Sequence, residues 1–559
     1  VKSVSAFTND RVKGFLHADG RRMINGDGEE VILRGWGMGN WCNPEGWMVG
    51  GTPMFLVGFD GCNMPRRYEH CRSIEQCIRE TCGTAYAKSF WSRWTRAFLA
   101  EGDIAYMAEC GMNSIRLPIS ARLFLDEEPG IHFNEDSFAM LDNVLDLCEK
   151  YRLYAVIDMH AAVGGQSGLL CDDGLDNIPR MFLEEESRER TMLLWEEIAR
   201  RYKDRWIVGA YELLNEPISP PRFDHLIPEL VKFYDEAIAR IRKIDTRHMF
   251  SLEGHRFASR VDIFTKDHEF DPGYHNWHIH MHYGHDPQMQ TLAPILRKAE
   301  ECGVPIWSGE TNDTPEAMAV YYEMLTTNHA GYNLWSYKVA ENCNVTHAVT
   351  YPLPKEWDKM YRFISEGGAR PSYEESQRIF DEMLENIKFA HCKKDETVHH
   401  YLLRQAPFAI PATGYDAMPG KGVSFGGSDV IENQFGYRVK DGMPIEGDPG
   451  YMPADAPHFA AMSGQKPERE WEHLSLVLTE GVYACYSLYN VQPGTMGKLT
   501  ALAGSDGTVQ VTIAGQEPKT LTLTEGESEP FPVPQGEKVT VRIEGLTGRV
   551  QLKTVAFCI

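Results

Sequence analysis

Eight short apolar runs, most of them parted by stretches of helical periodicity, occupy the first two-thirds of the chain. The runs are 31–36 (VILRGW), 113–119 (NSIRLPI), 153–160 (LYAVIDMH), 208–215 (VGAYELLN), 247–253 (RHMFSLE), 277–283 (WHIHMHY), 304–309 (VPIWSG) and 331–336 (GYNLWS). Between them, Leu141, Val144, Leu145 and Cys148 recur at helical spacing, as do Leu194, Ile198 and Tyr202, and then Leu230, Tyr234, Ala237, Ile238 and Ile241. Asp313-Thr314-Pro315 reads as a helix start, and a further helix is expected from Pro371. Eight strands alternating with helices predict an α/β fold, a (β/α)8 TIM barrel. A doubly wound open sheet would need a phosphate-binding glycine turn after an early strand, and no convincing GxGxxG is present.

Two regions break the repeat. Residues 42–95 form a long insertion after the first strand, rich in Gly, Cys, Arg and Trp. In a barrel it would project over the C-terminal ends of the strands. Its tryptophans, Trp41, Trp47, Trp91 and Trp94, fit either a roof over a ligand or a small core of their own. Residues 391–425 carry Pro407, Pro411, Gly414, Pro419, Gly420 and Gly422 and read as a linker. Beyond it come short β-like runs separated by Gly, Pro and Asp, including HLSLVL, GVYACYSLY, TVQVTI, KVTVRIEG and RVQLKTVAF. The expected organisation is a barrel over 1–390, a linker over 391–425 and an all-β sandwich, jelly-roll-like, over 426–559.

Composition narrows the partners. The formal net charge is −24 over 559 residues, with acidic residues spread along the chain, which argues against nucleic acid and anionic membranes. No apolar run is long enough to span a bilayer. Thirteen cysteines are present without a CxxC pair, and Cys42, Cys62, Cys71, Cys77 and Cys82 crowd one segment. This favours reduced thiols of a cytoplasmic protein over a disulfide framework, and speaks against structural zinc. The first residue is Val1 and no apolar signal core follows, so a trimmed signal peptide stays open. Oligomeric state has no signature.

Barrel enzymes act where the strands end, because the following loops converge there. The second run ends near Arg116, the third in Asp158 and His160, the fourth in Asn215 and Glu216, the sixth in histidines and Tyr283, the seventh in Glu310 and the eighth in Trp335. Two glutamates on opposite sides of an eight-strand ring can meet across the pocket. Glycoside cleavage needs such a pair, one to protonate the leaving oxygen and one to attack the anomeric carbon or activate water. Trp335 offers a ring for a sugar's C–H face, and Arg116 and Asn215 offer donors. Each has a plainer reading: Asn215-Glu216-Pro217 as a helix cap, Glu310 as a turn residue, Trp335 as core.

At these residues the chain resembles glycoside hydrolase family 5, of the clan of retaining (β/α)8 glycosidases. "YELLNEP" nearly repeats a characteristic ending of the fourth strand there. "AVIDMHAAVGGQSG" is similar to the third-strand stretch of exo-β-1,3-glucanase-like members, "SIRLPI" to their second strand and "GYNLWSYK" to their eighth. The resemblance covers about residues 14–390. It implies that Glu216 is the acid/base, Asn215 contacts the sugar 2-hydroxyl, Glu310 is the nucleophile held by Arg116, His160 lines the same subsite and Trp335 is its stacking platform. The family's sixth-strand His-x-Tyr appears in altered register in "HIHMHYGH", where His282 and Tyr283 are favoured for that role. The C-terminal part is similar to carbohydrate-binding modules only generically.

The expected activity is retaining hydrolysis of β-glucosides or β-gluco-oligosaccharides, without cofactor or metal. Glycolipid and β-mannoside substrates stay open, as does endo versus exo action. Two other classes remain. His278, His280 and His282 alternate onto one strand face and could ligate zinc in a metal-dependent hydrolase. A non-catalytic carbohydrate-binding barrel is the second. For an acid/base, burial beside a charged Glu310 is expected to raise the Glu216 pKa above the ordinary value of about 4.3.

Overall fold

A computed structural model of the chain describes residues 9–52, 68–282, 288–431, 435–451 and 470–559. Eight parallel strands close into a barrel: β1 (Arg34–Gly37), β2 (Ser114–Ser120), β3 (Tyr154–Ala161), β4 (Val208–Glu212), β5 (Met249–Glu253), β6 (Trp277–His282), β7 (Ile306–Thr311) and β8 (Gly331–Leu334). Each lies within a residue or two of one of the eight apolar runs, except that β4 stops at Glu212 and β1 starts at Arg34. Nearly every residue of these strands is buried, so the alternation that marks a half-exposed sheet is missing and continuous apolar runs result.

Helices wrap the barrel where the periodicity placed them. They include α1 (Glu135–Tyr151), α2 (Glu185–Tyr202), α3 (Ile227–Arg242), α4 (Pro315–Thr327) and α5 (Tyr373–Asn386). Helix α4 starts as expected: the Thr314 hydroxyl accepts from the amide of Ala317, and Pro315 fills the first turn. The last begins two residues later than Pro371, because Ser372 caps it and exchanges hydrogen bonds with Glu375. No described helix is long and apolar enough to cross a membrane.

The insertion at 42–95 carries two helices, Cys71–Cys82 and Thr84–Phe98. Its tryptophans divide between the two roles the sequence allowed. Trp94 stacks on Phe98 and donates to the carbonyl of Asn40, while Trp41 donates to Thr95, so both are core. Trp47 is half-buried and packs with Met48, Trp335 and Val339 at the mouth of the barrel.

Past the barrel the strands are antiparallel. A 23-residue strand, β9 (Gly536–Cys558), forms the spine of this sheet. Its first half pairs with Tyr483–Val491 and Asp506–Ile513, and its second half with Leu474–Leu478 and Met496–Ala501. The sequence suggested two strands here, split at Gly545 and Gly548. Instead the ladder shifts register at this point, and Gly548, at φ 69°, lies so close to Asp506 O that a Cβ would sit 2.1 Å from it. These glycines make a bulge rather than a turn. The expected linker also differs, since Phe408–Pro411 inside it pairs with β9, Phe408 opposite Phe557.

Barrel and sheet share one apolar core, running from Ile115 through Met318 to Val541. Helix α4 forms much of the contact, and a buried polar group lies in it. Tyr489 donates to Glu323 at 3.5 Å, and Arg404 pairs with Asp416 at 3.0 Å. Burial, with the Asp416 charge adding to it, pushes the Glu323 carboxyl from 4.5 up to about 7. A carboxyl raised by folding stabilises the fold fully below its unfolded pKa, and that contribution is lost as pH rises through its folded pKa. Wild type is therefore expected to lose up to about 3 kcal/mol between pH 5 and 8 from this residue, and Glu323→Gln to lose little. Thermal melts across that range check it. An equally steep fall of Tm in the glutamine variant would remove Glu323 as the cause.

Candidate active site

The site is assembled around Arg116, on β2, whose side chain is wholly buried. Its Nε and Nη2 donate to both oxygens of Glu212 at 3.1 and 2.6 Å, a forked pair that a lysine cannot make. Nη2 also donates to Asn215 Oδ1 at 2.7 Å and lies 3.1 Å from Asp158, while Nη1 donates to Glu310 Oε2 at 2.8 Å. The guanidinium thus ties the ends of β2, β3, β4 and β7 together. Its pKa is pushed well up, because the carboxylates of Asp158, Glu212 and Glu310 outweigh the cost of burial.

Beyond Glu212, Asn215 still donates its amide to Met159 of β3, and the next residue turns sharply. Glu216 has φ 42° and Ile218 φ 50°, left-handed values that cost a residue with a side chain. Three hydrogen bonds hold the turn: Glu216 N–H to Glu253 Oε2 at 2.6 Å, the Ser219 hydroxyl to Glu216 O at 3.0 Å, and Ile218 N–H to Gln166 O at 3.0 Å. Gln166 in turn donates to the carbonyls of His160 and Asn215. The turn aims Glu216 across the barrel mouth toward Glu310.

The three histidines of β6 lie one above another on the inner face, as period 2 requires. They meet three environments. His278 is deepest, against Met249 Sδ and Trp307, and burial drives its pKa down to about 3. His280 lies between Glu212 and Glu253 at 3.0 Å from each, and burial still holds it down at about 4. His282 reaches the mouth, with Nδ1 3.2 Å from Glu216 and Nε2 3.8 Å from Glu310. Burial opposes its charge, but the two carboxylates win and raise its pKa.

That contact reverses one expectation. Burial does push the Glu216 pKa up, but the hydrogen bond and charge of His282 outweigh it, and the net direction is down. The same contact favours the charged forms of both partners, His282 raised and Glu216 lowered. The Cys171 thiol, on the loop after β3, also hydrogen-bonds the Glu216 carboxylate and adds to the same direction.

Among the remaining expected residues, His160 is fixed by Asp158 at 2.8 Å and stacks on Trp335, ring centroids 5.1 Å apart and 11° from parallel. Trp335 therefore has one face already covered and is 6% exposed, so it offers an edge rather than an open platform. Gly37 and Gly39 let it settle there, since a Cβ on either would come within 2.8 Å of its ring. The Asn215 Nδ2, with Oδ1 taken by Arg116, is buried and has no partner among the described residues. Tyr283 lies outside the described residues.

Sequence reasoning missed five contributors, among them Glu212, the forked partner of Arg116. Glu45, in the insertion, accepts from Trp47 Nε1 at 2.8 Å, and burial lifts its pKa to about 7 within the field of Glu216 and Glu310. Glu253 and Cys171 were missed because neither stands in a motif, and Gln166 was missed inside "AVIDMHAAVGGQSG" because nothing in the sequence shows that its side chain reaches the turn after β4. For metal, His278, His280 and His282 do not converge on one point. The groups with ligand atoms within 4.8 Å of one another are Glu253–His280–His282 and Glu216–His282–Glu310. Their atoms are committed to one another through the pairs above.

Residues 77–341 match the family model described as cellulase, glycosyl hydrolase family 5. A β-xylosidase of Phanerodontia chrysosporium is 32% identical over 250 residues, 45% of this chain and 48% of that protein. A probable glucan 1,3-β-glucosidase A of Emericella nidulans is 28% identical over 298 residues, 50% of this chain and 68% of that protein. The chain thus spans about half the length of the first relative. Among solved structures, an endogalactoceramidase aligns over 97% of this chain and 100% of its own, at 14% identity and a TM-score of 0.43. The matched residues include those that carry Arg116, Asn215, Glu216 and Glu310, and over them the chain is similar to glycosyl hydrolase family 5.

Proposed function

We propose that the protein is a retaining β-glycosidase that hydrolyses β-glucosides or β-gluco-oligosaccharides by double displacement, with Glu216 as acid/base and Glu310 as nucleophile. One observation carries this reading: a carboxylate oxygen of Glu216 and one of Glu310 lie within 4.8 Å of each other. Carboxyls about 5 Å apart leave room for a covalent glycosyl intermediate, whereas an inverting pair stands about 6.5–9.5 Å apart to admit water.

The roles follow from the contacts. Arg116 holds one oxygen of Glu310 and leaves the other to attack the anomeric carbon. The buried Asn215 Nδ2, without a partner among the described residues, donates to the sugar 2-hydroxyl. The proton shared by His282 and Glu216 goes to the departing oxygen. Once Glu310 is esterified its charge is gone, and Glu216 takes a proton from water in the second step. The names of the two relatives, a β-xylosidase and a probable glucan 1,3-β-glucosidase, support a β-linked substrate.

A second reading of the aglycone has its own observation. The loop that brings Cys171 to Glu216 continues through Leu175, Ile178 and Leu183, which are 74%, 36% and 54% exposed. Exposed large apolar side chains on the loop that reaches Glu216 favour an apolar leaving group over a second sugar.

Two experiments test these readings. Glu310→Ala is expected to lose ~10⁴-fold or more on every substrate. Glu216→Ala should lose ~10²–10⁴-fold on poor leaving groups and far less on a dinitrophenyl glycoside, whose departure needs no proton. Azide should accelerate Glu216→Ala and yield the β-azide. Equal loss on both substrates without azide rescue would overturn the Glu216 assignment. For the aglycone, kcat/KM for octyl β-glucoside should exceed that for cellobiose, and the reverse order would restore the oligosaccharide.

A further inference from the structure

Glu253 is absent from every motif, yet it touches the backbone of Glu216 directly. It ends β5, is wholly buried, and has its carbonyl fixed by the Tyr234 hydroxyl at 2.8 Å. Its Oε2 accepts the amide of Glu216 at 2.6 Å, the bond that anchors the left-handed turn. Its Oε1 points the other way, 3.0 Å from His280 Nδ1 and 3.5 Å from Arg116 Nη2.

The charges around it do not balance if every acid is ionised. Arg116 faces the carboxylates of Asp158, Glu212, Glu253 and Glu310. Among the described residues, His280 is the other basic group beside Glu253 at this depth, and burial keeps it neutral. His282, 4.0 Å away, is committed to Glu216. Two adjacent buried carboxylates cannot both stay charged, and the one with the poorer cation contact takes the proton. Glu212 has both oxygens on the guanidinium, while Glu253 has only a 3.5 Å contact.

We propose that Glu253 is a positioning residue for Glu216 and acts as a neutral carboxylic acid, its Oε1–H donating to Glu212 while its Oε2 receives the Glu216 amide. The shifts agree: burial and Glu212 push Glu253 well up, whereas Arg116 and His280 overcome burial and hold Glu212 well down. The protonated acid does two things. It locks the turn that aims Glu216, and it leaves the charge of Arg116 to Glu212, Asp158 and Glu310. A charged carboxylate here would compete with Glu310 for the guanidinium.

The inference rests on Glu216 being the acid/base. An amide is isosteric with the neutral acid: its NH2 can donate to Glu212 and its carbonyl can accept from the Glu216 amide. Glu253→Ala removes both bonds and frees the turn. A displacement of the acid/base by ~1 Å is expected to cost about 10²-fold in kcat/KM on a poor leaving group. On the dinitrophenyl glycoside the loss should stay under about tenfold, because no proton is needed there. Glu253→Gln should recover to within about tenfold of wild type on both substrates, with the pH profile of kcat/KM unchanged in shape. Circular dichroism and Tm of each variant show that it is folded.

If Glu253→Gln is as impaired as Glu253→Ala, the residue works as a charged carboxylate and the proposal is wrong. If Glu253→Ala loses equally on both substrates, its role is structural and the proposal is also wrong. Glu216→Ala run alongside separates the two claims. A leaving-group split in Glu216→Ala without one in Glu253→Ala removes only this inference, and no split in either removes the acid/base reading beneath it.

Discussion

One buried guanidinium organises this molecule. Taking an arginine out of water costs several kcal/mol, and the cost is met only if its donors are filled with good geometry. Arg116 meets that condition by drawing on four strands at once. Glu212 takes the forked pair, Asp158 and Asn215 share Nη2, and Glu310 takes Nη1. The mouth of the barrel is therefore ordered before any ligand arrives. Each of these side chains is held by a partner on another strand, and loss of Arg116 would leave Glu212 buried without its forked partner.

The barrel interior grades from dry to wet along β6. The same residue type appears at three depths, and its protonation changes with the company it keeps. His278 and His280 are held neutral by burial, while the two carboxylates at the mouth raise the His282 pKa against burial. Among these three histidines, the surroundings favour the charged form only at the mouth. Apolar neighbours such as Trp307 and Met249 pack against the deepest of them. Glu216 gains a local proton donor without being raised itself, and a nearby cation did what burial alone was expected to do.

Much of this was legible in the chain. Eight apolar runs located eight strands, because a parallel barrel strand is buried on both faces and must be apolar throughout. Asn215-Glu216-Pro217 and Arg116 stood out because polar groups at the ends of such runs have no structural excuse. Glu253 ends a strand in the same way, in "MFSLEG", but a lone glutamate there has no neighbour in sequence to give it meaning. Glu45 and Cys171 lie on loops, and a loop's path is set by what it packs against. The glycines at 545 and 548 read as a turn because a bulge and a turn require the same backbone freedom.

What the sequence determined by itself was everything that follows from periodicity and from polar residues at the ends of apolar segments. That covers the barrel, the order of its strands, the change to antiparallel sheet, and the residues crowded at one end. Periodicity is local, so it survives in one dimension. What only the tertiary structure decided was which of those groups meet and in what state. Glu216 and Glu253 are 37 residues apart and share a hydrogen bond; Arg116 and Glu310 are 194 apart and share a charge. A proton's location among buried acids depends on distances between such groups. Those distances exist only after the chain has closed into a ring.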